Sequence, residues 1–113
     1  MTIENQDITV YQGDVVPVIF TITDSNNAVV DITAATFTWG LFKLATETPY
    51  VTKTLGSGLA LSDAPNGKVQ LNLVAVDTRD IQGDWRHELS MTLGGVIEIV
   101  ATGLLTVKVS SVQ

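Results

Sequence analysis

The chain has no cysteine, a single histidine, and only six lysines and arginines among its 113 residues. Without cysteine there is no disulfide staple and no thiolate for nucleophilic or metal chemistry, and the redox compartment stays open. Twelve acidic residues against those six basic ones set the formal charge at −6. That charge argues against nucleic acid and anionic membrane as partners, since both need a basic surface. Charged residues make up 16% of the chain, against about 25% in average soluble domains. A small domain so sparsely charged is suited to burying surface against neighbours. Long apolar runs are lacking too. The most apolar stretch, residues 94–107, is shorter than the roughly 18 residues of a membrane span and carries Glu98. The opening Met1-Thr-Ile-Glu-Asn-Gln-Asp lacks the basic-then-apolar order of a signal peptide, so the expectation is a chain made and kept outside a secretory route.

Valine and threonine are the commonest residues present, a composition that favours strands. The length suits one domain, residues 1–113, with one modest core. The chain is organised around residues 83–109, which read as two long strands about a glycine turn. Trp85, His87, Leu89 and Met91 alternate with Arg86, Glu88, Ser90 and Thr92, the period of a strand with one buried and one wet face. On the return strand Ile97, Ile99, Ala101, Leu105 and Val107 share the apolar face by the same count. A two-residue Gly94-Gly95 turn would pair Met91 with Glu98, setting a carboxylate on that face. A three-residue loop, residues 94–96, pairs Met91 with Ile99 and is the expected register. It sets His87 opposite Gly103, where a missing side chain leaves room for an imidazole.

Upstream, Ile8 to Val10 reads as a short first strand. Val15 to Thr23 follows, with Val16, Val18, Phe20 and Ile22 on one face. Pro17 has no ladder donor, which places this strand at a sheet edge or near a bulge. Asp24-Ser-Asn-Asn is a turn, and Asp31 is placed to cap one helical turn. Thr36 to Leu44 is a strand with Phe37, Trp39 and Leu41 inward. Phe42 and Leu44 break its phase, so either Gly40 marks a bulge or both faces are covered at this end. Tyr50 to Leu55 reads as a strand with Lys53 outward. Leu59 to Leu61 is too short to assign, and Ala64-Pro-Asn-Gly is a strong turn. Lys68 to Leu73 alternates cleanly. Residues 75–81 are the helical candidate, a turn or two ending before Gly83. Seven to eight strands and no long helix predict an all-β chain folded as an antiparallel sandwich with one short helical turn.

Catalytic and metal readings are thin. His87 could act as a general base or ligand, but no nucleophile or second ligand accompanies it, and an inner-face histidine bonded to a backbone carbonyl is the simpler reading. Asp77, Asp80 and Asp84, with Asp63, do not follow a calcium-loop spacing; capping and turn formation are the simpler reading, beside calcium held by residues that folding brings together. No serine sits in a strand–elbow–helix context. Gly56-Ser-Gly58 has no following lysine or helix to make a phosphate loop. The expectation is no enzyme, no catalytic residue, no metal and no cofactor. Trp39 and Trp85 read as anchors between two sheets. Phe42, Leu44, Val100 and Leu104 fall on otherwise polar faces and are the candidate protein-interface residues.

Four segments carry a resemblance. Asp14-Val-Val-Pro-Val-Ile-Phe-Thr-Ile-Thr-Asp24, Val30-Asp-Ile-Thr-Ala-Ala-Thr-Phe37, Gly83-Asp-Trp-Arg-His-Glu-Leu89 and Gly103-Leu-Leu-Thr-Val107 resemble the small immunoglobulin-like virion domains of tailed bacteriophages. The image is the N-terminal domain of baseplate upper proteins and related tail or fibre proteins. The resemblance runs from about Asp14 to Val109 and implies an immunoglobulin-like sandwich with no catalytic residues to carry over. A full baseplate upper protein also has a long C-terminal helix and a receptor-binding module, which this sequence lacks. The function it implies is a structural protein of the virion, made in the host cytoplasm. It would assemble with copies of itself and with other virion proteins as a tail, baseplate or fibre-attachment component. Two alternatives stand beside it: a capsid decoration or head-fibre base protein, and a carbohydrate-binding or adhesion module using Tyr11 and Tyr50.

Overall fold

A computed structural model of the chain describes residues 6–44 and 48–109. The alternating segments form strands: β1 (Ile8–Tyr11), β2 (Val16–Thr21), β3 (Thr36–Lys43), β4 (Pro49–Leu55), β5 (Gly58–Asp63), β6 (Lys68–Leu73), β7 (Gly83–Leu93) and β8 (Val96–Lys108). One helical turn, α1 (Ala75–Thr78), lies between β6 and β7, within the residues 75–81 expected to hold it. The Ala64–Asn66 turn is 3-10 and closes on Gly67 at φ 75°.

Hydrogen bonding runs in the order β1-β8-β7-β3-β4-β5-β6-β2. Most pairs are antiparallel, but β1 runs parallel to β8 and β4 parallel to β5. The far end of that order comes back over its first half. Phe20 of β2, the last strand, has its ring 6.0 Å from His87 of β7. The sheet therefore folds over at the β4–β5 corner, where Gly56 and Gly58 take φ of 83° and 102°, into layers β1-β8-β7-β3-β4 and β5-β6-β2. Strands β2, β6 and β5 against β3, β7 and β8, with β4 extending the second sheet, is the strand order of an immunoglobulin-like sandwich. The all-β sandwich expected from the pattern is the fold observed.

The core lies between the layers. Phe37, Trp39 and Leu41 of β3, Trp85, His87, Leu89 and Met91 of β7, and Val69, Leu71 and Leu73 of β6 are all buried. In antibody domains a buried Trp on the strand equivalent to β3 packs against a disulfide joining those equivalent to β2 and β7. Here rings fill that space: the Trp39 and His87 centroids are 5.9 Å apart, and Phe20 approaches from the other layer. A cysteine-free chain thus closes the sandwich by packing alone. Strand β2 is at the end of the order, as Pro17 requires of a residue without a ladder donor.

Three expectations are corrected. The β7–β8 turn has two residues, not three: Leu93 pairs with Val96 and Met91 with Glu98. Gly94 and Gly95 both take positive φ, 61° and 80°, the geometry in which a two-residue hairpin matches strand twist. The apolar face is then recovered by a bulge. Leu89 pairs with Ala101 but Ser90 with Ile99, leaving Val100 as the extra residue. Beyond the bulge the expected register returns, and His87 does lie opposite Gly103. Second, the phase flip turns Ile97 and Ile99 outward, 73% and 37% exposed, and turns Val100 inward. Third, Lys53 is not an outward residue: its ammonium meets Asp77 of α1 at 2.7 Å, the two side chains 11% and 7% exposed. Gly58 makes that path possible, since a Cβ there would collide with the Lys53 side chain.

Candidate functional site

His87 is fully buried with both ring nitrogens engaged. Trp39 Nε1 donates to His87 Nδ1 at 3.2 Å, and His87 Nε2 lies 2.6 Å from the Gln6 carbonyl oxygen. A carbonyl only accepts and an indole N–H only donates, so the neutral ring protonated on Nε2 satisfies both. Burial pushes the imidazole below its ordinary pKa, opposed by the Gln6 carbonyl and by the charges of Asp7 and Glu88. Gly103 opposite it admits the Gln6 backbone rather than the imidazole, since a Cβ there would strike the Gln6 carbonyl. With no lone pair free, the ring serves as a core polar group, the simpler of the two sequence readings.

The aspartates are spread over separate tasks. Asp77 accepts from the Val74 N–H at 2.8 Å at the start of α1 while holding Lys53. Asp84 accepts from Thr106 Oγ1 at 2.8 Å, and Asp63 from Asn66 Nδ2 at 2.9 Å. Asp80 is exposed beside Arg79. Among the described residues no three His, Cys, Asp or Glu side chains come together in a way that could hold a metal ion. Asp31 caps a tight corner instead of a helix: its carboxylate accepts from the Thr33 N–H and hydroxyl at 3.0 and 2.5 Å, and those bonds lower its pKa.

What remains is the outer face of the β1-β8-β7-β3-β4 layer. The ladders fix which side chains share it. Crossing from β3 to β8, Thr38, Ser90 and Ile99 form one row; Gly40, Glu88 and Thr102 the next; Phe42, Arg86 and Leu104 the third. Strand β4 adds Thr54, Thr52 and Pro49 to the same rows. Phe42 does not break phase: it is an outer-face residue whose ring lies over Gly40, where a Cβ would meet ring carbons at 2.8 Å. The β3–β4 register shift falls beside it, at Leu41 and Phe42. The Arg86 guanidinium stacks 4.3 Å from the Phe42 centroid and pairs with Glu88 at 2.6 Å. Beside them is a shallow depression of about 240 Å³ lined by Thr38, Gly40, Phe42, Thr52, Ser90 and Ile99, among others.

The four candidate interface residues divide. Leu104 is 39% exposed on this face and Phe42 half-buried on it, while Leu44 is exposed just past β3. Val100 leaves the set, because the bulge places it in the core at 1% exposure. Ile97 and Ile99, assigned inward from the alternation, are on the face instead; only the two-glycine turn, with the bulge it forces, could have signalled them. Tyr11 and Tyr50 are exposed on β1 and β4, the opposite margins of the layer, so they form no single platform.

No known protein family and no curated protein matches this chain. Among solved structures it is similar to an extracellular fragment, including the stalk region, of novel immune-type receptor 11 from Ictalurus punctatus. The two share 10% identity over 96% of this chain and 87% of that one, at a TM-score of 0.42. A likeness that distant carries no functional argument, and the fold assignment stands on the strand order.

Proposed function

We propose that the chain is a non-enzymatic structural protein of a tailed-phage virion, a tail, baseplate or fibre-attachment component that assembles with copies of itself and other virion proteins. The observation that carries this reading is the outer face of the five-strand layer. It presents Ile97, Ile99, Phe42 and Leu104 among threonine and serine hydroxyls, a surface suited to contact rather than catalysis. The segments that resemble phage virion domains have structural work in the fold that agrees with it. Asp24 Oδ1 accepts from Asn26 and Ala28 N–H groups to close the turn after β2. Asp31 and Thr33 set the corner before β3, and Gly103 lets the N-terminal backbone reach His87.

Antibodies raised against the purified chain test the proposal on particles of the phage that carries it. Gold at the tail tip or neck in negative-stain micrographs is the expected result. Gold scattered over the head moves the chain to a decoration role. Particles that carry no chain, either intact by gold or denatured by immunoblot, overturn the virion reading.

A further inference from the structure

We propose that two copies of this chain pair face to face through the outer surface of the β1-β8-β7-β3-β4 layer, about a two-fold axis crossing β7 between Arg86 and Glu88. The inference rests on the assembly reading above and names its partner as a second copy.

Charge is the first argument. The molecule carries −6 overall, a repulsion that opposes self-association at most of its surface. The charges of this face nearly balance: Arg86 and Lys108 stand against Asp84 and Glu88, and Asp7, whose carboxylate accepts from the Leu104 N–H, leaves the face at −1 of the chain's −6. The chain's acidity is concentrated elsewhere, so this is the surface on which two acidic copies can approach. Self-complementarity is the second argument. A two-fold contact requires each patch to fit itself, and Arg86 and Glu88 project side by side from the central strand of the layer. An axis between them faces Arg86 of one copy with Glu88 of the other, and the reverse. The same operation sets Phe42 of each copy over the Gly40 position of the other, which that copy's own Phe42 ring covers, so the two rings meet beside the depression, while Leu104 meets Thr102. Area is the third. Five strands about 4.8 Å apart and about eight residues long at about 3.3 Å each present roughly 600 Å² per copy. Pairing then buries about 1,200 Å² in all, the lower edge of specific interfaces.

Light scattering after size exclusion of the full chain reads the pairing. Wild type is expected at twice the 12.1 kDa chain mass. R86E and E88R, each alone, bring like charges together across the axis and are expected to run as single chains with unchanged circular dichroism. Mixed in equal amounts they restore opposite charges at every crossing, and the double-mass species returns. A residue that only supported the fold would give no such rescue. Should a charge reversal unfold the chain, Leu104→Lys replaces it, and a folded double-mass species there overturns the pairing. So do wild type at single-chain mass up to about 1 mM, where even weak pairs form, variants that stay dimeric, and a mixture that stays monomeric. Particle labelling separates the two proposals. Labelled particles with a monomeric chain sink the pairing alone, and a dimer absent from particles sinks the virion role alone.

Discussion

His87 is the single histidine of the chain, which makes its titration legible in solution. Both of its nitrogens are spoken for, and a second ring proton would point Nδ1–H at the Trp39 indole N–H, donor against donor. Burial accordingly holds its folded pKa below the ordinary 6.5. Above pH 6.5 the ring is neutral in folded and unfolded chains alike, and stability is at its full value. As pH falls below 6.5 the unfolded chain takes up a proton that the folded chain refuses, so stability declines until the folded pKa is reached. The urea midpoint is therefore expected to fall between pH 7 and pH 5, and His87→Gln to flatten that slope whatever its effect on the midpoint itself. An equal slope in both proteins refutes the assignment. Lys53 and Asp77 make a second testable pair. With both side chains nearly inaccessible, Lys53→Met leaves a carboxylate without its cation, and the expected loss is about 3 kcal/mol in chemical denaturation. A loss below about 1 kcal/mol would mean that water reaches Asp77 and the pair behaves as a surface bridge.

The β7–β8 hairpin shows how far pattern reaches and where it stops. Both glycines of the turn have positive φ, a conformation that asparagine tolerates and β-branched residues do not. Gly94→Asn is expected to leave the melting temperature within a few degrees, whereas Gly94→Val costs about 1–2 kcal/mol; equal melting of the two variants would contradict the turn assigned here. The His87–Gly103 pair came from an expected three-residue loop, which shifts the register by the same one residue as the observed turn and bulge together. Alternation placed Trp85, His87, Leu89 and Met91 inward, because side-chain period in a strand is fixed by geometry. It failed between Ser90 and Ile99, since one inserted residue, Val100, reverses every face beyond it. Nothing local in Ile-Val-Ala marks the insertion. The two-residue turn requires it, and only if the turn is chosen first. Lys53 was missed for another reason: its partner Asp77 is on a helical turn 24 positions later, and lone lysines are mostly exposed. Most strand identities and the two-sheet sandwich were legible because each rests on many residues at once, while β5, left unassigned over Leu59 to Leu61, was too short to read. The outer face was half legible: Phe42 and Leu104 were placed off the core face, whereas Ile97 and Ile99, beyond the bulge in β8, were assigned to it.

Taken as a molecule, the sandwich has an inner surface buried between the layers and an outer one open to solvent, and β8 changes the face it turns inward at the bulge. That division predicts opposite outcomes for two leucine- and valine-sized neighbours on one strand. Val100 is 1% exposed between the layers, while Leu104 is 39% exposed on the outer face. Val100→Lys would bury an ammonium within the hydrophobic core cluster, a change in the class that costs more than about 4 kcal/mol. A domain of this size has a total stability of about 5–15 kcal/mol, so the variant is expected to be insoluble or to lack a cooperative melt. Leu104→Lys places the same charge in water next to Asp7, whose carboxylate accepts from the Leu104 N–H at 3.0 Å, and is expected to fold with a midpoint near wild type. Circular dichroism melts of the two proteins check the division directly. If Val100→Lys melts like wild type, the bulge is misplaced and Ile99 belongs inside. If Leu104→Lys is the one that unfolds, the outer face is part of the core, and an assembly role for it is lost.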